Sequence, residues 1–228
     1  MSKMKITWLG QAGLLFENES VKIMIDPYLS DSCGKVNPKS HRRVPVDEQF
    51  LAVRPDVLIC THNHMDHLDP ETLPYFLTED AGLTMLVPYN GWQDARKYGG
   101  TTNYVLFDRN TEWTQSGIRF TAVRAIHSDL TAVGVIIETG DARYYVSGDT
   151  LYSKEILDDV TGHFDAIFLP VNGVGNNMNM EDAARLAAQI DTDAVVPLHI
   201  GLFDSKTADD FHCPNKVVPE FFKEIPLN

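Results

Sequence analysis

The sequence predicts an α/β fold of mixed β-sheets covered by helices, and three observations predict it. The N-terminal region reads as short strands joined by turn residues. The rest alternates apolar strand-like runs with helical or loop segments. One segment carries a clear amphipathic helix.

The opening meander comprises residues 5–9, 14–17 and 22–25, with Gly10, Gly13 and the 17–20 stretch supplying the turns. A polar loop, 30–45, follows and carries Lys39, His41, Arg42 and Arg43. Residues 56–60 and 83–87 are short apolar runs of the buried-strand type. Residues 118–126 and 132–138 read as a pair of longer strands, followed by strands at 144–147, 166–171 and 194–198. The helix spans 180–190, where Ala183, Leu186, Ala187 and Ile190 form an apolar stripe. Asn179 stands at its N-cap, and Glu181 and Asp182 suit its first turn. Periodicity does not decide between a layered sandwich and a doubly wound sheet.

No repeat, low-complexity tract or linker divides the 228 residues, so one domain, 1–228, is expected. A chain of this length buries enough surface to fold without a structural metal or disulfide. A metal site in it is therefore expected to serve function. The formal net charge of -13 argues against a nucleic-acid binder. Cys33, Cys60 and Cys213 are odd in number and widely spaced, which suits reduced thiols. Residues 1–10 lack a signal-peptide arrangement and no run reaches transmembrane length, so a cytoplasmic protein without membrane contact is expected.

Chemistry concentrates in Thr61-His62-Asn63-His64-Met65-Asp66-His67, directly after the 56–60 strand. Two His at i and i+2 in extended chain point the same way and can share one metal. A turn after them can swing Asp66 and His67 towards a second one. Imidazole and carboxylate are ligands that zinc and manganese accept. An isolated H-x-H is usually a solvated loop; the full string behind a strand is far less common by chance. His127, Asp149 and His199 each lie just past a predicted strand, where strand ends gather at the rim of a sheet.

This ordered set, T-H-N-H-M-D-H, then His127, G-D-T and His199, resembles the metallo-β-lactamase superfamily. I-T-W-L-G-Q-A-G-L-L-F, I-D-P-Y-L-S, L-P-V-N-G, N-M-N-M-E-D-A-A and P-L-H-I-G resemble its L-ascorbate-6-phosphate lactonase-like subgroup. The resemblance implies a four-layer αβ/βα sandwich with a dinuclear site at one edge of two mixed sheets. Carried over, His62, His64 and His127 would hold one divalent metal. Asp66, His67 and His199 would hold the other, with Asp149 bridging. Zinc or manganese suits these ligands, and iron is also compatible. His64 stands where the oxygen-reducing di-iron branch has Glu, which points to hydrolysis. Asp26 falls where the family places an acid behind the ligands, able to fix a ligating His through its free nitrogen. As a residue alone it could equally open the turn before Pro27. Gln11 stands where many relatives have His, and Val174 where the resemblance predicts Arg.

The implied chemistry is attack by a hydroxide bridging two metals on a lactone or ester of a small anionic metabolite, with Asp66 orienting that hydroxide and receiving its proton. The cluster Lys39, His41, Arg42, Arg43 is the candidate for meeting the anion. Alternatives are a phosphodiesterase of the same superfamily and a metal-binding sensor without turnover. The 29 residues after His199 are too few for the helical domain of glyoxalase II-like enzymes. The absent signal argues against a secreted lactamase, and the acidity against the nucleases. A homo-oligomer is left open.

Overall fold

A computed structural model describes residues 4–79 and 81–227; Met1–Lys3, part of the stretch read for a signal, lie outside it, as do Asp80 and Asn228. The first sheet comprises β1 (Lys5–Gly10), β2 (Gly13–Glu17), β3 (Lys22–Ile25), β4 (Val57–Ile59), β5 (Thr84–Val87) and β6 (Asn103–Leu106), in that order across the sheet. β1, β2 and β3 pair antiparallel, and β3 to β6 pair parallel. Next come β7 (Glu112–Gln115), β8 (Ile118–Arg124), β9 (Val133–Glu138), β10 (Arg143–Val146), β11 (His163–Phe164), β12 (Ala166–Pro170), β13 (Asp191–Thr192) and β14 (Val195–Leu198). The second sheet runs β14-β12-β10-β9-β8-β7, while β11 and β13 form a two-stranded ribbon. Both large sheets are mixed, because the parallel pairs β10–β12 and β12–β14 adjoin antiparallel β7 to β10.

Alternation within the strands builds the layers. Phe16, Ile23, Ile25, Ile59 and Leu86 of the first sheet share one buried cluster with Phe120, Val135, Val146, Phe168 and Val196 of the second. The residues between them face outwards. Leu15, Met24, Leu58 and Met85 pack with Leu73 and Phe76 of helix α2 (Leu73–Phe76). Ile136, Tyr145, Ile167 and Val195 pack with Ala183 and Leu186 of helix α4 (Met180–Ala187). Between those helices in sequence lies α3 (Tyr89–Ala95), whose Ala95 joins the first outer layer; α1 (Ser32–Val36) precedes them all. Strands buried on both faces lie between two helical layers, which is the expected αβ/βα order. Among the described residues, no helix is long and apolar enough to cross a membrane.

Strand boundaries move by one or two residues from the sequence reading. β8 stops at Arg124 because the Ile126 N–H turns to the Thr150 hydroxyl oxygen at 2.9 Å. α4 is capped by Asn179, whose side chain accepts from the Asp182 N–H at 2.9 Å, as read from sequence. It ends at Ala187 rather than at residue 190, since the Gln189 and Ile190 N–H groups reach only to i−3 carbonyls before β13. Residues 69–73 form a turn closed by the Leu73 N–H on the Asp69 carbonyl, leading into α2. The 30–45 loop contains α1 and a short turn at Pro38–Ser40. It lacks an apolar stripe, which is why it read as irregular. β6 and β7 escaped detection because they are half-exposed edge strands.

Phe16 is fully buried and meets Tyr144 and Phe168 of the opposite sheet edge-on, with centroids 5.5 and 5.8 Å away. Phe16→Ala is expected to lower unfolding stability by about 3–5 kcal/mol in urea titration. A loss under about 1 kcal/mol would show that the two sheets do not depend on this contact.

Candidate metal centre

Strand direction assembles the site. β1, β3 and β4 run the same way in the first sheet, as do β8, β10, β12 and β14 in the second. Gln11, Asp26 and the 61–67 segment follow the first three; His127, Asp149, Asn172 and His199 follow the others. The seven sequence-predicted ligands meet where these ends converge.

Among the described residues, ligand-type atoms fall into three overlapping groups, each within 4.8 Å: His62, His64 and His127; His62, His67 and Asp149; and Asp66, His67 and His199. Asp149 stands between the outer sets, its Oδ2 lying 3.3 Å from His67 Nε2 and 3.2 Å from His199 Nε2. Gly148 makes this approach feasible. It has φ +58°, and a Cβ there would lie 2.9 Å from the Thr61 side chain.

Three imidazoles have their tautomers fixed from behind. His67 Nδ1 donates to Asp26 Oδ2 at 2.8 Å, and His127 Nδ1 donates to the Asn176 carbonyl at 3.0 Å. The Thr61 hydroxyl donates to Asp26 Oδ2 at 2.7 Å, leaving its oxygen to accept from His62 Nδ1 at 3.1 Å. In its neutral form each ring then presents an Nε2 lone pair. His62 Nε2, His67 Nε2 and Asp149 Oδ1 are buried and have no hydrogen-bond partner. His127 Nε2 faces His64 Nδ1 at 3.1 Å. Buried acceptors left unpaired and aimed at one another are costly unless something electrophilic lies between them. The donor set thus fits divalent cations.

Residues 22–200 match the family described as beta-lactamase superfamily domain. The chain belongs to that superfamily. It is 28% identical over 241 residues to a UPF0173 metal-dependent hydrolase of Ligilactobacillus salivarius, covering 99% of this chain and 94% of that one. Isothiocyanate hydrolase from Delia radicum gut bacteria aligns with TM-score 0.76 at 19% identity, covering 99% and 100% of the two chains. A metallo-beta-lactamase fold protein of Bacillus subtilis aligns with TM-score 0.71 at 17% identity, covering 97% and 98%. The metallo-β-lactamase fold expected from the sequence is the fold of this superfamily member.

Electrostatics divides the centre. Burial pushes His62 well down and His127 down, so both are neutral imidazoles suited to ligation. Burial also opposes charge on His67 and His199, but carboxylates overcome it. Asp149, Asp26 and Asp66 push His67 well up, and Asp149 and Asp66 push His199 up to about 9. Burial works against ionised Asp149 and Asp66 as well, yet His199 and His67 hold both below the usual carboxylate range. These carboxylates demand nearby positive charge, which a divalent cation held by the neutral imidazoles would supply.

Several contacts were not assigned from the sequence. Gln11, noted only as a departure, donates from Nε2 to Asp66 Oδ2 at 2.8 Å and lies 3.0 Å from His199 Nδ1. Asn172 Nδ2 is 2.9 Å from the same His199 Nδ1, and Asn177 Nδ2 donates to Asp149 Oδ2 at 2.8 Å. Asp129 accepts from the Asn63 N–H at 3.1 Å and so ties the 61–67 segment to the loop after His127. Gln11 and Asn172 stand in the quoted segments close to strand ends, but no spacing marks them or Asn177 and Asp129 as partners of the ligands. Within the 39–43 cluster, Arg42 donates from Nη1 to the Tyr28 and Ser30 carbonyls and from Nε to the Val44 carbonyl, while its Nη2 is buried without a partner. His41 is paired with Asp31 at 2.6 Å. Val174 is exposed.

Asp26→Asn replaces an acceptor facing His67 Nδ1 with an amide that cannot fix the same tautomer and keep both Thr61 bonds. Zinc affinity is expected to fall roughly 10–100-fold by calorimetric titration, with the fold retained. Unchanged affinity would show that His67 is oriented without Asp26.

Proposed function

We propose that the chain, a metal-dependent hydrolase like its named relatives, opens a lactone or ester with two divalent ions at this centre. The observation that carries the reading is the convergence of fixed-tautomer imidazoles and carboxylates on unpaired, inward-facing acceptors. In the proposed assignment His62, His64 and His127 would hold one ion and Asp66, His67 and His199 the other, with Asp149 available to both. Zinc and manganese suit these nitrogen and oxygen donors. Bound there, such a pair lowers the pKa of water towards neutrality and polarises a carbonyl oxygen.

The chain's own residues supply orientation and proton handling. Asp66 is kept ionised by His67 and His199, the state in which it can accept a hydrogen bond from the attacking water and orient it. The Gln11 amide holds Asp66 Oδ2 in place, and Gln11 and Asn172 flank His199. Asn177 fixes the Asp149 carboxylate. No Ser or Cys nucleophile is needed: Cys60 is buried, and its thiol donates to the His67 carbonyl. The likeness of L-P-V-N-G and P-L-H-I-G to ascorbate-6-phosphate lactonase-like proteins supports a lactone among carbonyl substrates.

Zinc- or manganese-loaded protein is expected to hydrolyse simple lactones, followed as acid release at constant pH. Turnover of phosphodiesters alone would move the assignment to a phosphodiesterase. Absence of turnover on either class with metal bound would favour a sensor. Asp149→Asn is nearly isosteric and should retain the fold while lowering kcat by roughly a hundredfold or more. Near-normal kcat in that variant would contradict a carboxylate spanning two ions.

A further inference from the structure

Resting on the lactone or ester reading, we propose that this site selects substrates carrying an uncharged apolar substituent, seated on the His64–His127 side of the centre. Three large apolar side chains are exposed on the loops that carry or support the candidate ligands. Leu130, three residues past His127, is 94% exposed; Val174, two past Asn172, is 60% exposed; Leu151, two past Asp149, is 38% exposed. Single exposed apolar residues are ordinary, whereas several gathered about one site mark a binding surface.

Hydrogen bonds stitch these loops to the centre and to one another. The Leu151 N–H donates to the Ile126 carbonyl at 2.8 Å, and the Met178 N–H to the Thr150 carbonyl at 2.9 Å. His127 Nδ1 reaches the 172–178 loop at the Asn176 carbonyl, at 3.0 Å. The side-chain oxygen of Asn172, the residue beside His199, lies 3.4 Å from the Val174 N–H. Leu130 follows Asp129, which holds Asn63, and Ser128 Oγ lies 3.3 Å from His64 Nε2. His64 also lines a cavity of about 580 Å³ walled by Met65, Leu68, Leu73 and Tyr98 and by the Asp94–Lys97 ion pair. That volume falls within the range of small-ligand sites.

Several cations have partners within the protein. Arg42 donates to backbone carbonyls, Lys35 pairs with Glu71, Lys206 donates to the Asn172 carbonyl, and Lys97 on the cavity wall pairs with Asp94. A net charge of -13 works against an anionic substituent. Apolar contact on this flank would hold the substituent while the carbonyl faces the ligands.

The test compares γ-butyrolactone, its 4-hexyl derivative and a phosphorylated lactone on metal-loaded wild type and Leu130→Ser/Val174→Ser. Calorimetric binding of the matching, non-hydrolysed γ-lactams is measured in parallel. Wild type should prefer the hexyl lactone roughly thirtyfold in kcat/KM, the gain of two to three buried methylenes at about fourfold each. The double variant should lose at least tenfold of that preference, in kcat/KM and in lactam Kd, with γ-butyrolactone turnover and Tm unchanged. A wild-type preference near one, or for the phosphorylated lactone, would overturn the proposal. So would a double variant that changes the mass in solution but not the preference, since the rim would then be a contact between copies of the chain. Lactam discrimination without any lactone turnover would support the apolar site while defeating the hydrolase reading, so the two can fail separately.

Discussion

A shared strand direction governs this molecule. Strands of two sheets end at a common edge, so residues distant in sequence leave their strands side by side. The chain turns sharply as it leaves several of them. Gln11, Asp26 and His199 adopt positive φ values of 51°, 45° and 63° directly after β1, β3 and β14. Such conformations cost about 1–3 kcal/mol each in non-glycine residues and persist only where surrounding bonds over-determine them. Here they do: the His199 N–H donates to the Gln11 carbonyl, and the Asp26 N–H to the Ile59 carbonyl. The strain is placed where side chains must be aimed.

Charge is the second consequence. Crowding Asp26, Asp66 and Asp149 against buried imidazoles gives an edge that cannot be neutral and unpaired at once. Asp26 accepts two bonds from Thr61 and one from His67, so it is satisfied from behind and acts through the residues in front. Asp149 keeps one oxygen unpaired. That difference separates a carboxylate that orients from one available to bind, and it follows from position along the strand ends rather than from residue type.

Much of this was legible in the sequence where burial writes a pattern. Strands with both faces covered, such as Val57–Ile59 and Ala166–Pro170, read as continuous apolar runs. The half-exposed edge strands carry Glu112, Gln115 and Asn103, and so left no such trace. His127, Asp149 and His199 were recognisable as ligand-type residues standing just past strands. The amides were not: Asn172 and Asn177 act by pairing with His199 and Asp149, and a lone Asn carries no spacing that announces this. Arg42 shows the converse. A cation in a polar loop suggested an anion, but its partners are three backbone carbonyls that no linear pattern records.

The central claim is that this edge is a two-ion centre spanned by Asp149, and anomalous diffraction from crystals of zinc- or manganese-loaded protein tests it most directly. The account predicts two peaks per chain about 4 Å apart. One should lie among His62, His64 and His127 and the other among Asp66, His67 and His199, with the Asp149 carboxylate between them. A single peak at full loading, or two peaks not joined by Asp149, would contradict it.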